Sequence, residues 1–383
     1  MKILSLDGGG SWAVIQVLAL ENIYGDAATG FEVLKHYDLA IANSGGSIVL
    51  AGLMLDMRLS DIFLFFMDEK KRRAIFAERT LGILGNLTGV LPKYSTAKKR
   101  DGLLAAMGNG GNRALSAFPG VQNWPAGPAG APVKCAIVSF NYDQLRAEFF
   151  RTYKPAAASS SASAIPLVDA VNASTDAPIR YFDAPAECDG HRYWDGAMGG
   201  YNNPVMAGVV EAIAAVGVAP ASIHALTIGT GTVRLARFDV VPDAPAPMKA
   251  KRVTPSIVHD AKQAAACLLD DPPDAATYTA HIVLGHAPDA MGSVVRMNPV
   301  VRPMLAQNRW ALPPGLNEGQ FSALADLDMD AVKQPDMDLI VHLAKAWLSD
   351  AVPNQPIRFD PKTLGGAPGD DTFSAAKHRW SLL

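Results

Sequence analysis

A buried strand that ends in a serine beside two glycines and runs straight into an apolar helix leaves few folds open. Tyr37 to Ala42 has that strand character, and Asn43-Ser44-Gly45-Gly46 forms the turn. The helix from about Ser47 to Met57 is apolar nearly all round (Ile48, Val49, Leu50, Leu53, Met54, Leu55), which implies burial in the core. The same unit occurs once before it. Ile3 to Leu6 reads as a short buried strand, Asp7-Gly8-Gly9-Gly10 as a turn, and Trp12 to Ile23 as a helix. Further along, Val133–Phe140 and His224–Ile228 read as strands and Ile165–Ala173 and Pro204–Val216 as helices. Arg192–Trp194 reads as a short strand entering a third polar turn at Asp195-Gly196. Strands alternating with helices predict an α/β fold with a mainly parallel sheet. Ligands of such sheets sit at the carboxyl ends of strands, and all three turns are expected there.

Ser60 is placed to cap the next helix, with Asp61 in its first turn. That helix carries Ile62 to Met67 and ends in the basic run Lys70 to Arg73. Two readings fit: an interfacial element that dips into lipid, or a core helix with a solvated end. The Gly/Pro-rich stretch 108–131 predicts a surface loop, 156–164 a low-complexity connector, and 239–256 a Pro-rich insertion followed by a helix at 257–269. Pro335 suits the first position of a helix whose apolar stripe is Met337, Ile340, Val341, Ala344, Trp347 and Leu348. Residues 1–350 are thus expected to form one domain and 351–383 a C-terminal tail.

Three motifs carry chemistry. In Ala42-Asn43-Ser44-Gly45-Gly46 small residues stand two positions either side of the serine, as a strained strand-to-helix turn requires. Ser44 sits at a helix N-terminus, where the dipole favours a developing alkoxide; alternatively it merely caps that helix. The amides of Gly8, Gly9 and Gly10 can approach a ligand closely, as an oxyanion hole requires; alternatively they form a plain turn. A nucleotide loop is poorly supported, since neither GxxxxGK[ST] nor GxGxxG is present. Asp195, at a strand end beside a small residue, could act as general base if buried, though an isolated Asp-Gly more often marks a solvated turn.

In combination these motifs resemble the patatin-like phospholipase family, which opens with a DGGG turn, carries GxSxG on a nucleophile elbow, and ends its dyad with Asp-Gly-Gly or Asp-Gly-Ala before Asn-Asn-Pro. Here those are Asp7–Gly10, Ala42–Gly46, and Asp195–Ala197 with Asn202-Asn203-Pro204. Lys93-Tyr94-Ser95, Ala173–Pro178 with Tyr181-Phe182, and Ile228–Thr232 are similar to further family segments in the same order; Arg296–Pro299 and Leu327–Asp330 match more loosely. The resemblance implies a three-layer α/β/α fold and a serine acyl hydrolase. Its dyad would be Ser44 and Asp195 without a catalytic histidine, and its oxyanion hole Gly8, Gly9 and Gly10. The substrate would be a phospholipid or other acyl-ester lipid, met with transient contact at a membrane surface. The family usually has arginine two residues after DGGG, where this chain has Ser11 and Trp12; Ala42 replaces the first glycine of the elbow and Ser47 follows Gly46. The missing arginine keeps a second reading alive, a degenerate homologue that binds lipid without hydrolysis. A third is a phospholipase effector gated by a cyclic nucleotide, the kind of switch some bacterial members use.

The remaining features set bounds. The 383 residues carry 34 basic and 37 acidic side chains, a net charge of −3 that gives no reason to expect nucleic acid. Three cysteines (Cys135, Cys188, Cys267) make no disulfide framework and favour a reducing compartment. No metal-ligand spacing is present among the eight histidines, and no cofactor is expected. His36 is read as structural or surface. With no signal peptide at the N-terminus and no clean membrane span, the expectation is a cytoplasmic protein, peripheral at membranes where it meets lipid.

Overall fold

The first strand, β1 (Lys2–Leu6), lies in the middle of the sheet because side chains on both its faces are buried: Ile3 joins one apolar cluster, while Leu4 and Leu6 join another on the opposite side. In the computed structural model the described residues are 1–79, 92–155, 163–178, 181–233, 245, 248, 275–306, 309–357 and 368–383. The expected helix at 257–269, Cys267, nearly all of the Pro-rich insertion and most of the 156–164 connector lie outside them.

The other strands of the main sheet are β2 (Leu39–Asn43), β3 (Lys134–Asn141), β4 (Arg146–Arg151), β5 (Ala186–Cys188), β6 (His191–Asp195), β7 (His224–Ile228) and β9 (Val294–Met297). A short β8 (Thr232–Val233) pairs elsewhere, with Val300–Val301. The order is β5-β6-β3-β2-β1-β7-β9, with β4 also on β3. The run β3-β2-β1-β7-β9 is parallel throughout; β4, β5 and β6 are antiparallel to their neighbours.

One face of the sheet is covered by α1 (Val14–Tyr24), α3 (Ser44–Met54) and α4 (Leu59–Met67), with α2 (Gly30–Leu34) at its margin. Alpha-helices α5 (Glu69–Ile75), α6 (Thr96–Met107) and α7 (Leu167–Ser174) extend that layer. On the opposite face α8 (Val205–Val210) packs on Ile3, Ile41 and Ala225, joined by Tyr278 and Leu284. This is the expected three-layer α/β/α arrangement. Burial of Val14, Ile15, Val17, Leu18, Ala19 and Leu20 in succession makes α1 an interior helix.

Several sequence expectations change. Ser60 does not cap α4: the helix begins at Leu59 after Arg58, and Ser60 gives its amide to the Asp26 carbonyl. Within α4, Ile62, Phe65 and Phe66 are buried while Leu64 is 59% exposed. Arg72, from the basic run, is itself buried and donates to the carbonyls of Val332 (2.9 Å) and Phe66 (2.5 Å). These contacts pack the segment against the core, and the basic run belongs to a separate helix, α5, that starts after a break at Asp68. The 108–131 loop contains two short 3₁₀ turns, the second of which buries Leu115 and Phe118. After α8 the chain loosens into a π turn, Glu211–Ala215, rather than continuing as α-helix to Val216. Beyond α9 (Glu318–Asp326) and α10 (Gln334–Leu348), the expected tail is not a tail. Residues Phe373–Leu382 form α11, which buries Phe373, Ala376 and Trp380 in the core; Trp380 stacks on Tyr37. Among the described residues no helix is long and apolar enough to cross a membrane.

Candidate active site

Strand β3 explains how residues 151 positions apart in sequence come together. Its residues Lys134 to Val138 pair with β2, whose last residue, Asn43, lies opposite Val138. Its other edge is taken by β4 from Ala136 onward. The short β6 therefore occupies the edge that β2 vacates, running in the opposite direction, and its last residue, Asp195, lies opposite Ser139. Strands β2 and β6 meet head-on along β3, so the turn after one faces the turn after the other. All three turns lie at the carboxyl ends of their strands, as expected, although the strand that carries Asp195 runs antiparallel to β3.

The turn at Ser44 is strained. Ser44 has φ of +47°, in the left-handed region that costs a residue with a Cβ on the order of 1 kcal/mol. Gly46 is required by close approach, since a Cβ there would lie 2.6 Å from the carbonyl oxygens of both Leu6 and Asp7. Ser44 is not a helix cap: α3 begins at Ser44 itself, and the capping position, Asn43, makes no side-chain cap bond. Its own amide donates to Ser174 Oγ at 2.9 Å. The reading of Ser44 as a mere cap is thereby set aside.

Ser44 and Asp195 are both buried, and the Ser44 side chain is among the groups that lower the Asp195 carboxyl. Asp195 Oδ1 accepts from Asn43 Nδ2 and from the Ala197 amide, each at 2.9 Å. Burial pushes the Asp195 carboxyl above the usual range; the Ser44 hydroxyl, the Ala197 amide, Asn43 and the Lys99 ammonium pull it partly back. The solvated-turn reading of this aspartate does not hold.

The glycine turn lies against the serine: a Cβ on Gly8 would sit 3.0 Å from Ser44 Cβ and 2.2 Å from Asn202 Oδ1. Its donors are not equivalent. The Gly8 amide already donates to the Asn202 carbonyl at 2.8 Å, whereas the Gly9 and Gly10 amides make no such bond to another turn among the described residues. Gly8, expected as an oxyanion donor, is therefore the committed one of the three. The turn is braced by Thr230, whose hydroxyl donates to the Gly8 carbonyl at 2.8 Å, and by Met329, whose carbonyl accepts the Ser11 amide at 3.0 Å. Trp12, standing where arginine was expected, gives its indole N–H to the Asp328 carbonyl at 3.2 Å. Asp7 pairs with buried Arg296 at 2.6 Å; burial raises its carboxyl and Arg296 opposes the rise.

No described histidine enters this site. His36 stacks on Tyr24, outside it, and no group of three His, Cys, Asp or Glu among the described residues could hold a metal ion. Asn43, Ser174 and the Asn202 carbonyl were not singled out from sequence as site residues. Their contacts join turns that are remote in the chain and leave no local spacing signal.

The family described as patatin-like phospholipase matches residues 4–209, more than half of the chain and all three turns. An intracellular phospholipase A2 of Caenorhabditis elegans is 28% identical over 213 residues, 54% of this chain and 16% of that protein, so the chain spans about a sixth of the relative's length. Among solved structures, VipD from Legionella pneumophila aligns over all of this chain and 74% of its own, at 11% identity and a TM-score of 0.36.

Proposed function

The chain belongs to the patatin-like phospholipase family, and from that premise we propose that it is a serine acyl hydrolase that cleaves acyl esters of lipids with a Ser44–Asp195 dyad. The observation that carries this reading is the strained, buried Ser44 beside a buried carboxylate whose proton affinity it lowers. A buried carboxyl pushed upward is a stronger base than a solvated one, so it can take the serine proton without an intervening imidazole.

The substrate carbonyl enters with its oxygen toward the amides of Gly9 and Gly10. Asp195 removes the Ser44 proton as Oγ bonds to the carbonyl carbon, and the π electrons move onto oxygen, where the amides meet the charge. Collapse re-forms the carbonyl and expels the alkoxide of the alcohol or lysolipid, which takes the proton from Asp195. Water then attacks the acyl-serine, giving one proton to Asp195. Collapse frees the fatty acid, and that proton returns to Ser44.

The side chains beside the serine helix are apolar: Ile48, Ala51, Gly52 and Leu55, with Phe65 and Leu103 opposite, line a narrow crevice of about 20 Å³, which would have to widen to take an acyl chain. Ile48 lies one helical turn from Ser44 and so on the same face. The test is lipid-product mass spectrometry on wild type beside Ser44→Ala and Asp195→Asn, with fluorophosphonate labelling of the serine. Fatty acid release by wild type alone, with the label on Ser44, is the expected result. Equal release by all three proteins would sink the reading, and an unlabelled Ser44 would favour a lipid-binding homologue.

A further inference from the structure

One short stretch of chain touches both members of the dyad. Ser174 Oγ accepts the Ser44 amide at 2.9 Å, and the Asp176 carbonyl accepts the Asp195 amide at 3.0 Å. The stretch is held at two points by one fully buried side chain. Lys99 Nζ, from α6, donates to the Asn172 carbonyl at 2.8 Å and to Asp176 Oδ1 at 2.5 Å. Phe182 closes over the ammonium, 4.2 Å from its ring centre, and Thr96 Oγ1 lies 3.3 Å from the same carboxylate oxygen.

Burying an ammonium is costly, and a surface pair would hold the stretch as well without that cost. What the buried position adds is a charge that solvent screens little and that acts on Asp195 in the direction that lowers its carboxyl. The other groups acting on Asp195, namely the Ser44 hydroxyl, the Ala197 amide and the Asn43 amide, are neutral. Asp176, the other charged group here, directs its carboxylate at Lys99 and Thr96 and meets Asp195 through its backbone carbonyl. We propose that Lys99 is a positioning residue for the reaction: through residues 172–176 it fixes Ser44 and Asp195 relative to each other, and its charge keeps Asp195 in the ionised form that can accept the serine proton. This inference rests on the Ser44–Asp195 reading above.

The direction of the electrostatic effect follows from the charges. Burial raises the Asp195 carboxyl and Lys99 lowers it, so loss of the ammonium lets it rise further. The active, ionised form is then lost at a higher pH as the solution is acidified.

The test compares the pH dependence of kcat/KM for a soluble acyl ester in wild type, Lys99→Met with Asp176→Asn, and Asp195→Asn. The double change removes both charges and leaves no unpaired buried ion, so the fold is expected to survive. In the double variant the ratio of activity at pH 6 to that at pH 8 is expected to drop by about threefold or more below the wild-type ratio. A merely structural role would lower activity at both pH values alike. Lys99→Arg keeps the charge and restores the wild-type ratio even where its overall rate is reduced. An unchanged ratio in the double variant, with Asp195→Asn inactive, overturns the role of Lys99 and leaves the dyad standing. Full activity in Asp195→Asn overturns both. If the double variant does not fold, the wild-type-like ratio must appear in Lys99→Arg, and a shifted ratio there overturns the proposal.

Discussion

Strands β2 and β6 meet end to end on β3, yet the two turns they deliver are built by different means. The Ser44 side is made of backbone: a residue at positive φ, Gly46 pressed on two carbonyls, and the glycine turn alongside. The Asp195 side is made of polar side chains brought from elsewhere: Asn43, and behind it Lys99 and Asp176. A nucleophile has to be exposed to substrate in a fixed direction, which backbone geometry achieves. A base has to hold a particular proton affinity, which only surrounding charge and burial can set.

Removing either functional group tests the comparison most severely. Ser44→Ala should lower kcat by at least about 10⁴-fold, or roughly 5.5 kcal/mol, read as fatty acid released per enzyme. Asp195→Asn, nearly isosteric, should do the same with little change in melting temperature; a large fall in melting temperature would make Asp195 a structural brace instead of a base. Next comes the ion pair under the glycine turn. Arg296→Met strips the buried Asp7 carboxylate of its ion pair and leaves it only the Thr227 hydroxyl, and should cost about 3–5 kcal/mol in urea denaturation. A loss under 1 kcal/mol would show that this side does not depend on charge for its stability. Gly46→Ala should destabilise by about 1–3 kcal/mol through overpacking against Leu6 and Asp7, with activity falling more than stability because Ser44 is re-aimed. The smallest change is Thr230→Val, which removes one hydrogen bond to the Gly8 carbonyl and should cost about 1 kcal/mol. On the β6 side the signature is pH. Since the Asp195 carboxyl is raised by burial and is proposed to act when ionised, kcat/KM should fall as pH drops through its raised value, and Ser44→Cys should keep that acid limb.

Legibility in the sequence follows the same division. The Ser44 turn was readable because sterics demand small residues at fixed offsets, and the alternation of strands and helices gave the layered fold. Asp195 could be told from a solvated turn aspartate only by its resemblance to a family. Its burial depends on β6 filling the edge that β2 leaves on β3, a non-local event with no periodic trace. The pairs Lys99–Asp176 and Asp7–Arg296 join residues 77 and 289 positions apart, and nothing in either neighbourhood marks a partner. Helix α11 is hidden in the sequence for another reason. Its buried residues Phe373, Ala376 and Trp380 do follow helical spacing, but Lys377, His378 and Arg379 between them make the segment look solvated.

The place of β1 carries a consequence for how the chain acquires its shape. The strand nearest the N-terminus must wait for a partner more than 200 positions downstream, since the His224 amide bonds to the Met1 carbonyl and all of β7 lies along β1. Until β7 arrives, one edge of the growing parallel sheet is open. Pairings of such long range slow folding and leave a sticky border in the meantime. Refolding from denaturant should accordingly be slow and prone to aggregate, with yield rising as protein concentration is lowered.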